Sequence, residues 1–394
     1  MKSTSNLLIL TAVIITMSSC KLDIGGGIID NPKKIEPILL KDRYDENITL
    51  TDHNEDGVDY IASDEIELYN GTMKIEPGVT IEFADGASII VGIEGKIDAV
   101  GTSGEPIRMI AKTNEPSWAG IYINTNKSNK LHYVQIENAG AGEEYGVYNE
   151  NAAAITIDGK VSIENTTISK SGDVGVKIND GNASDITSFS GNTIKSCKNF
   201  PILTNINYVG ALELSNNVFN DNGINMIGIE DTYSDRLNVN TDLEGLEIPY
   251  FIQGQFELYA NLTLGRGVEF VMDENSVLLH VAGDDYRFEI KGTENEHVVI
   301  RGLESENGYW QGIFITSENS GNVFEYLDIS DGGGKALTYA NAKANISIEQ
   351  EGKLELNNST SARSGSCEVL LSNFGGSKYE FINNSPAITK VCEE

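Results

Sequence analysis

"LYNGTMKIEPGVTIEFADGASIIV" (68–91) decides the fold, because a version of it returns later in the chain. Residues 258–280, "LYANLTLGRGVEFVMDENSVLLH", line up with it, and Gly78-Val79 falls on Gly267-Val268. The correspondence continues downstream. Gly101-Thr102 falls on Gly292-Thr293, Trp118 on Trp310, and "YVQI" (133–136) on "YLDI" (326–329), at offsets of 191, 192 and 193 residues. "ITIDGKVSIENTTISKSG" (155–172) then matches "ISIEQEGKLELNNSTSARSG" (346–365). An offset that drifts so little means small insertions in turns, so the sequence reads as two tandem copies of a unit of about 190 residues.

Each copy has the texture of short strands and turns. "VTIEF" (79–83), "SIIV" (88–91), "GIYI" (120–123), "AITI" (154–157) and "VGVKI" (174–178) are apolar or alternating runs rich in β-branched residues. Forty Gly against eight Pro suits many tight turns with positive φ. No amphipathic helical period follows the first residues. Parallel pairing normally needs a long crossover. A coil of successive short strands avoids it by stacking each turn of chain on the one before, so that small repeats bury a continuous core. The recurring Asn-rich turns "IENTTIS", "FSGNTI", "LSNNVFNDNG", "LELNNS" and "EFINNS" suit such a coil, because Asn can hydrogen-bond to its neighbour along the axis. An antiparallel sandwich is the competitor, but the two-residue Asn-Gly and Asp-Gly hairpins it favours are few.

The stretch 68–123, from "LYNG" through "EPGV" and "GTSGEPI" to "SWAGIYI", resembles the opening turns of right-handed parallel β-helix proteins of the pectate-lyase-like superfamily. It is similar in particular to surface lipoproteins of Gram-negative gut anaerobes that show EPGV, a Gly-Thr turn with "PI", and Trp-x-Gly-Ile in the same order. The resemblance covers roughly residues 60–390 and implies an all-β, right-handed parallel β-helix solenoid. It does not specify an activity, because the superfamily includes lyases, hydrolases, adhesins and proteins of no known activity. One turn of such a helix takes somewhat over twenty residues. Cys367 and Cys392, 25 residues apart, are therefore placed to pin neighbouring turns as a disulfide; two buried thiols are the alternative.

The ends add a location. Lys2, the apolar run Leu7–Met17 and "MSSC" read as a lipoprotein signal peptide (1–19) ending in a lipobox-like site, with Cys20 as the lipidated residue. Residues 20–46 read as a tether, 47–236 as copy 1 and 237–394 as copy 2. "CKLD" resembles the signal that sends such lipoproteins to the outer surface, so the expected location is the outer membrane, lipid-anchored and surface-exposed. A net charge of −31 disfavours nucleic acid and other polyanions as partners.

Candidate sites are few. "DHNEDGVDY" (52–60) places Asp52, Asn54, Asp56 and Gly57 like the front of a calcium loop, but Ser63 stands where a bidentate Glu is needed. The matching region of copy 2, "NTDLEGLEIPY" (240–250), keeps only Asp242 of the acidic set, so Ca2+ is a candidate cation and a turn inherent to the fold is the plainer reading. "NTD" (240–242) and "GDD" (283–285) match two polygalacturonase motifs, but the Gly-His-Gly is missing and Arg287 and Lys291 have the wrong spacing for Arg-x-Lys. No cluster of cysteine and histidine suits zinc. Tyr145, Tyr148 and Tyr339 follow the "YVQI" and "YLDI" segments and are candidates for stacking on sugars, against packing on the outer face. The expectation is a surface lipoprotein that binds a glycan or another envelope or host component without catalysis. A polysaccharide lyase or glycoside hydrolase is the rival and a structural stalk the third reading. No catalytic residue is assigned.

Overall fold

Strands that alternate apolar and polar residues need one buried face and leave the other open. In the computed structural model that requirement is met by parallel sheet almost throughout. The structure describes residues 35–54, 57–141, 152–179, 184–230, 236–281, 285–338, 342–373, 376 and 378–394. Cys20 and the segment 1–19 lie outside the described residues. One compact unit, Glu36–Glu394, carries every element. Among the described residues helix occurs at Ile206–Val209, with 3-10 turns at Leu214–Asn216 and Gly376.

The strands fall into four sheets of eight, seventeen, seven and six strands. Every ladder among the described residues is parallel; the antiparallel pairing is a single bridge between Thr293 and Glu296. Inward positions form columns of apolar side chains. One runs Ile81, Met109, Ile136, Ile168, Ile194, Phe219, each facing the next across neighbouring strands. Another runs unbroken from Ile66 through Ile89, Ile121, Ile155, Val176, Ile202, Ile227, Tyr250, Phe270 and Ile300 to Ile329. Nearly all of these side chains belong to a single buried core, which supplies the main stabilisation.

Between strands the chain bends at single residues in the left-handed region, and these recur at matched positions. Tyr133 and Tyr326 have φ of 53° and 50°, Asn165 and Asn358 both 51°, and Lys170 and Arg363 55° and 43°. A non-Gly residue there is uncommon, and Asn138 and Asp331, with φ of 58° and 69°, add a fourth aligned pair. Behind two of these bends lies a polar ladder. Thr166 Oγ1 accepts from the Val134 N–H, Asn192 Oδ1 from Thr166, and Asn217 Oδ1 from Asn192. Later in the chain Ser359 Oγ accepts from Leu327 and Ser385 Oγ from Ser359. These bonds satisfy backbone donors that the bends remove from the sheets.

Two features differ from the sequence reading. Paired strands begin at Ile38–Leu39 and Arg43–Tyr44, inside the segment read as tether (20–46), because Leu40 and Tyr44 are buried in the core. The aligned stretches also do not stand on one ladder. Thr80–Phe83 lies in the eight-stranded sheet, whereas its counterpart Glu269–Met272 continues the ladder of Ile227–Glu230 in the seventeen-stranded one. The two aligned stretches therefore belong to different ladders.

Cys367 and Cys392 are joined by a disulfide with Cα atoms 6.0 Å apart. It ties the last strand, Val391–Glu393, to Cys367–Ser372, its neighbour in the sheet. Cys197 is buried, and burial pushes its thiol up to about 11, which makes it unreactive.

Candidate functional site

Both tryptophans face inward. Trp118 is fully buried, stacked on Phe83 with ring centroids 4.0 Å apart, and donates its Nε1–H to the Glu137 carbonyl at 3.0 Å. Trp310, also fully buried, donates to the Ser330 carbonyl at 2.7 Å. Gly120 and Gly312, with φ of 113° and 114°, lie two residues on; a Cβ at either would meet a carbonyl oxygen of the next strand at 2.6 Å. The repeated Trp-x-Gly is thus a packed corner with no surface for a ligand.

The loop 52–60 is organised by a residue the calcium pattern did not include. Asp59 is fully buried and accepts from the N–H groups of His53 (2.9 Å), Asn54 (2.8 Å) and Thr80 (2.8 Å). Asn54 donates its own amide to the Val58 carbonyl, closing the turn. Asp56 lies outside the described residues, among which no cluster of three metal-ligating side chains occurs. Tyr145, Tyr148 and Tyr339 also lie outside them.

A groove of about 1030 Å³ lies over the first strands of the six-stranded sheet. Its floor follows from strand alternation. Leu243 and Leu264 point inward, so their neighbours Asp242 and Thr263, paired across Thr241–Leu243 and Leu262–Leu264, face the groove, with Thr263 largely covered. The turns 244–247, 265–267 and 293–296 form its walls. Gly245 allows two of them to touch, since a Cβ there would meet the Gly267 carbonyl carbon at 2.6 Å. Charge is mixed: Asp242, Glu244, Glu247 and Glu296 against Arg266 and Lys291. Arg266 approaches Glu296 at 3.7 Å, while Lys291 and Arg287 both pair with Glu289, at 3.2 and 2.7 Å. The sequence had singled out Asp242, Arg287 and Lys291 for a hydrolase motif. The structure brings them near one another, but it ties both cations to Glu289.

Three carboxyls shifted by burial stand elsewhere. Glu65 is pushed up by burial and by its neighbours Glu67 and Asp64. Asp158 is pushed up by burial although the Tyr122 hydroxyl donates to it at 3.2 Å. Glu230 is pushed up by burial against the opposing pull of Lys177. None of them lines the groove.

No protein-family model, no curated protein and no solved structure matches the chain. The groove's chemistry must therefore be argued from its own residues. It offers acceptors and donors on a fixed floor, open to solvent, with no aromatic side chain among its lining residues. Among the described residues no helix is long and apolar enough to cross a membrane.

Proposed function

We propose that this chain is a lipid-anchored outer-membrane protein whose sheets are the faces of a right-handed parallel β-helix of two tandem copies. In this reading it binds a neutral glycan along the groove without cleaving it. The coil is supported by parallel ladders between strands that follow one another at short intervals, since parallel crossovers are right-handed in nearly all sheets. The duplication is supported by the matched bends at Tyr133 and Tyr326, Asn165 and Asn358, and Lys170 and Arg363. The anchor rests on the sequence around Cys20 alone.

The observation that carries the binding reading is the groove floor. Asp242 and Thr263 stand side by side on adjacent strands, about 4.8 Å apart along the stack. Sugar hydroxyls both donate and accept, so a fixed row of carboxylate and hydroxyl groups suits them. Four acids against two bases, within a molecule of net charge −31, oppose an anionic polysaccharide. Binding is favoured over cleavage because a general acid needs a carboxyl raised by its surroundings, and Glu65, Asp158 and Glu230 lie away from the groove.

The test is a glycan array followed by assays for new reducing ends and unsaturated uronates on every hit. Binding to neutral glycans with no product is expected. Product formation would establish the lyase or hydrolase reading, and silence across the array would favour a stalk.

A further inference from the structure

The bend after "YVQI" lies beside a second concavity. In the first half a cleft of about 820 Å³ is lined by Asn138, Lys170, Ser171, Ser196, Lys198 and the backbone around Gly140. Asn138 sits at its base with φ of 58° and is only 5% exposed. Its Nδ2 reaches the Thr113 carbonyl at 3.4 Å, but its Oδ1 has no hydrogen-bond partner. A buried acceptor left unpaired costs roughly 1–3 kcal/mol and is rare in native structures.

The second half shows how the same position is satisfied when no ligand is needed. Asp331, 193 residues after Asn138, is fully buried with φ of 69°. Both its oxygens are occupied. Arg363 donates from Nε to Oδ1 and from a terminal nitrogen to Oδ2 at 3.1 Å. The Ser330 hydroxyl donates to Oδ2 at 2.7 Å and the Gly302 N–H at 3.3 Å. Tyr309 packs against Gly302, close enough that a Cβ there would meet its ring at 2.9 Å. In the first half the residue matching Arg363 is Lys170, and its ammonium turns away to Glu137 at 2.7 Å.

We propose that the cleft at Asn138 is a binding site for an uncharged, hydroxyl-bearing ligand, a neutral sugar unit, which supplies the donor that Arg363 supplies in the second half. The change from carboxylate to amide decides the charge. Asp331 compensates a cation, whereas a neutral amide leaves a buried cation without compensation. Within the cleft Glu115 and Asp173 offset Lys170 and Lys198, so no net charge calls for an ion. Lys198 has no ion-pair partner among the described residues and Ser196 is exposed, so both offer donors to the hydroxyls of a ligand that reaches Asn138. A peptide strand is less suited, because the backbone N–H groups of Asn138, Ala141, Gly172 and Lys198 already donate to other carbonyls. This site stands on the unpaired acceptor and not on the groove reading.

The experiment is NMR titration of the 15N-labelled full chain, following the Asn138 side-chain amide identified by its absence in Asn138→Asp. The probes are methyl glycosides of glucose, galactose and mannose, with arginine, glucuronate and glycylglycine amide as the other arms. The double variant Asn138→Asp/Lys170→Arg rebuilds the internal pair of the second half. At least one neutral glycoside should shift the Asn138 amide, and the double variant should bind it about tenfold more weakly or worse while unfolding at the wild-type temperature or above. The proposal is overturned if no neutral glycoside moves the amide, if a charged probe or the peptide moves it instead, or if the double variant binds as the wild type does. Should the double variant not fold, the wild-type titration decides alone. Substituting Asp242 and Thr263 leaves this cleft untouched, so failure here and failure at the groove are read separately.

Discussion

Trp118→Ala is expected to destabilise the protein by about 3–5 kcal/mol, the range for removing a buried aromatic. The side chain is fully buried and stacked face to face on Phe83, which is itself fully buried. Truncation leaves a cavity beside a ring that cannot collapse into it, and leaves the Glu137 carbonyl without its donor. Trp310→Ala should cost a similar amount, since it removes an equally buried ring and the bond to Ser330. Urea unfolding monitored by far-UV circular dichroism measures both. A fall in midpoint at unchanged slope is expected. A loss under about 1 kcal/mol would fall below that range and remove the structural role assigned to the repeated Trp-x-Gly.

The second large effect depends on pH. His280 is fully buried on the strand Val277–His280, with Nε2 3.0 Å from Asn322 Oδ1, which also accepts from the Phe288 N–H. Burial pushes the imidazole down to about 4 from its ordinary 6.5, so it is neutral in the folded protein at pH 7. A histidine with a depressed folded value contributes fully above pH 6.5. As pH falls from there toward 4 the unfolded chain takes up a proton that the folded chain refuses, and stability is lost; below 4 the loss levels off. At about 1.36 kcal/mol per unit the loss is roughly 3 kcal/mol. The protein's many carboxylates also change charge over this range, so the comparison is with His280→Gln, which retains a donor for Asn322. Between pH 7.5 and 4.5 the wild type should lose roughly 3 kcal/mol more than the variant. Parallel pH profiles for the two proteins would refute the assignment.

How far the fold could be read in advance depends on the distance over which each feature acts. The alternation in "VTIEF" and "VGVKI" is local, and so the strands were legible. Four pairs of non-Gly residues with positive φ, Asn138 and Asp331 among them, fall at aligned positions. Tyr133 and Tyr326 themselves gave no local signal, because tyrosine has no preference for that conformation. Which ladder the later aligned stretch joins was illegible, since it depends on the path of the chain between Val218–Asn220 and Tyr250–Gln253, which no local pattern marks. The strands at 38–44 were missed because two-residue strands carry no period.

The sites were less legible than the fold. Asp59 organises the 52–60 loop through backbone donors, and no spacing rule marks such a residue. Asp242 was noticed for a tripeptide; its place beside Thr263 on the neighbouring strand carried no signal in that motif. Asn138 became visible only by comparison with Asp331, whose partners are all within the protein.

The most direct measurement is native electrophoresis through gels cast with a mannan, a xylan, a mixed-linkage glucan or polygalacturonate. The wild type should be retarded by at least one neutral polysaccharide and not by polygalacturonate, and Asp242→Ala/Thr263→Ala should lose that retardation while unfolding at the wild-type temperature. Equal retardation of variant and wild type, or free migration of the wild type in every gel, would contradict the groove as the binding surface.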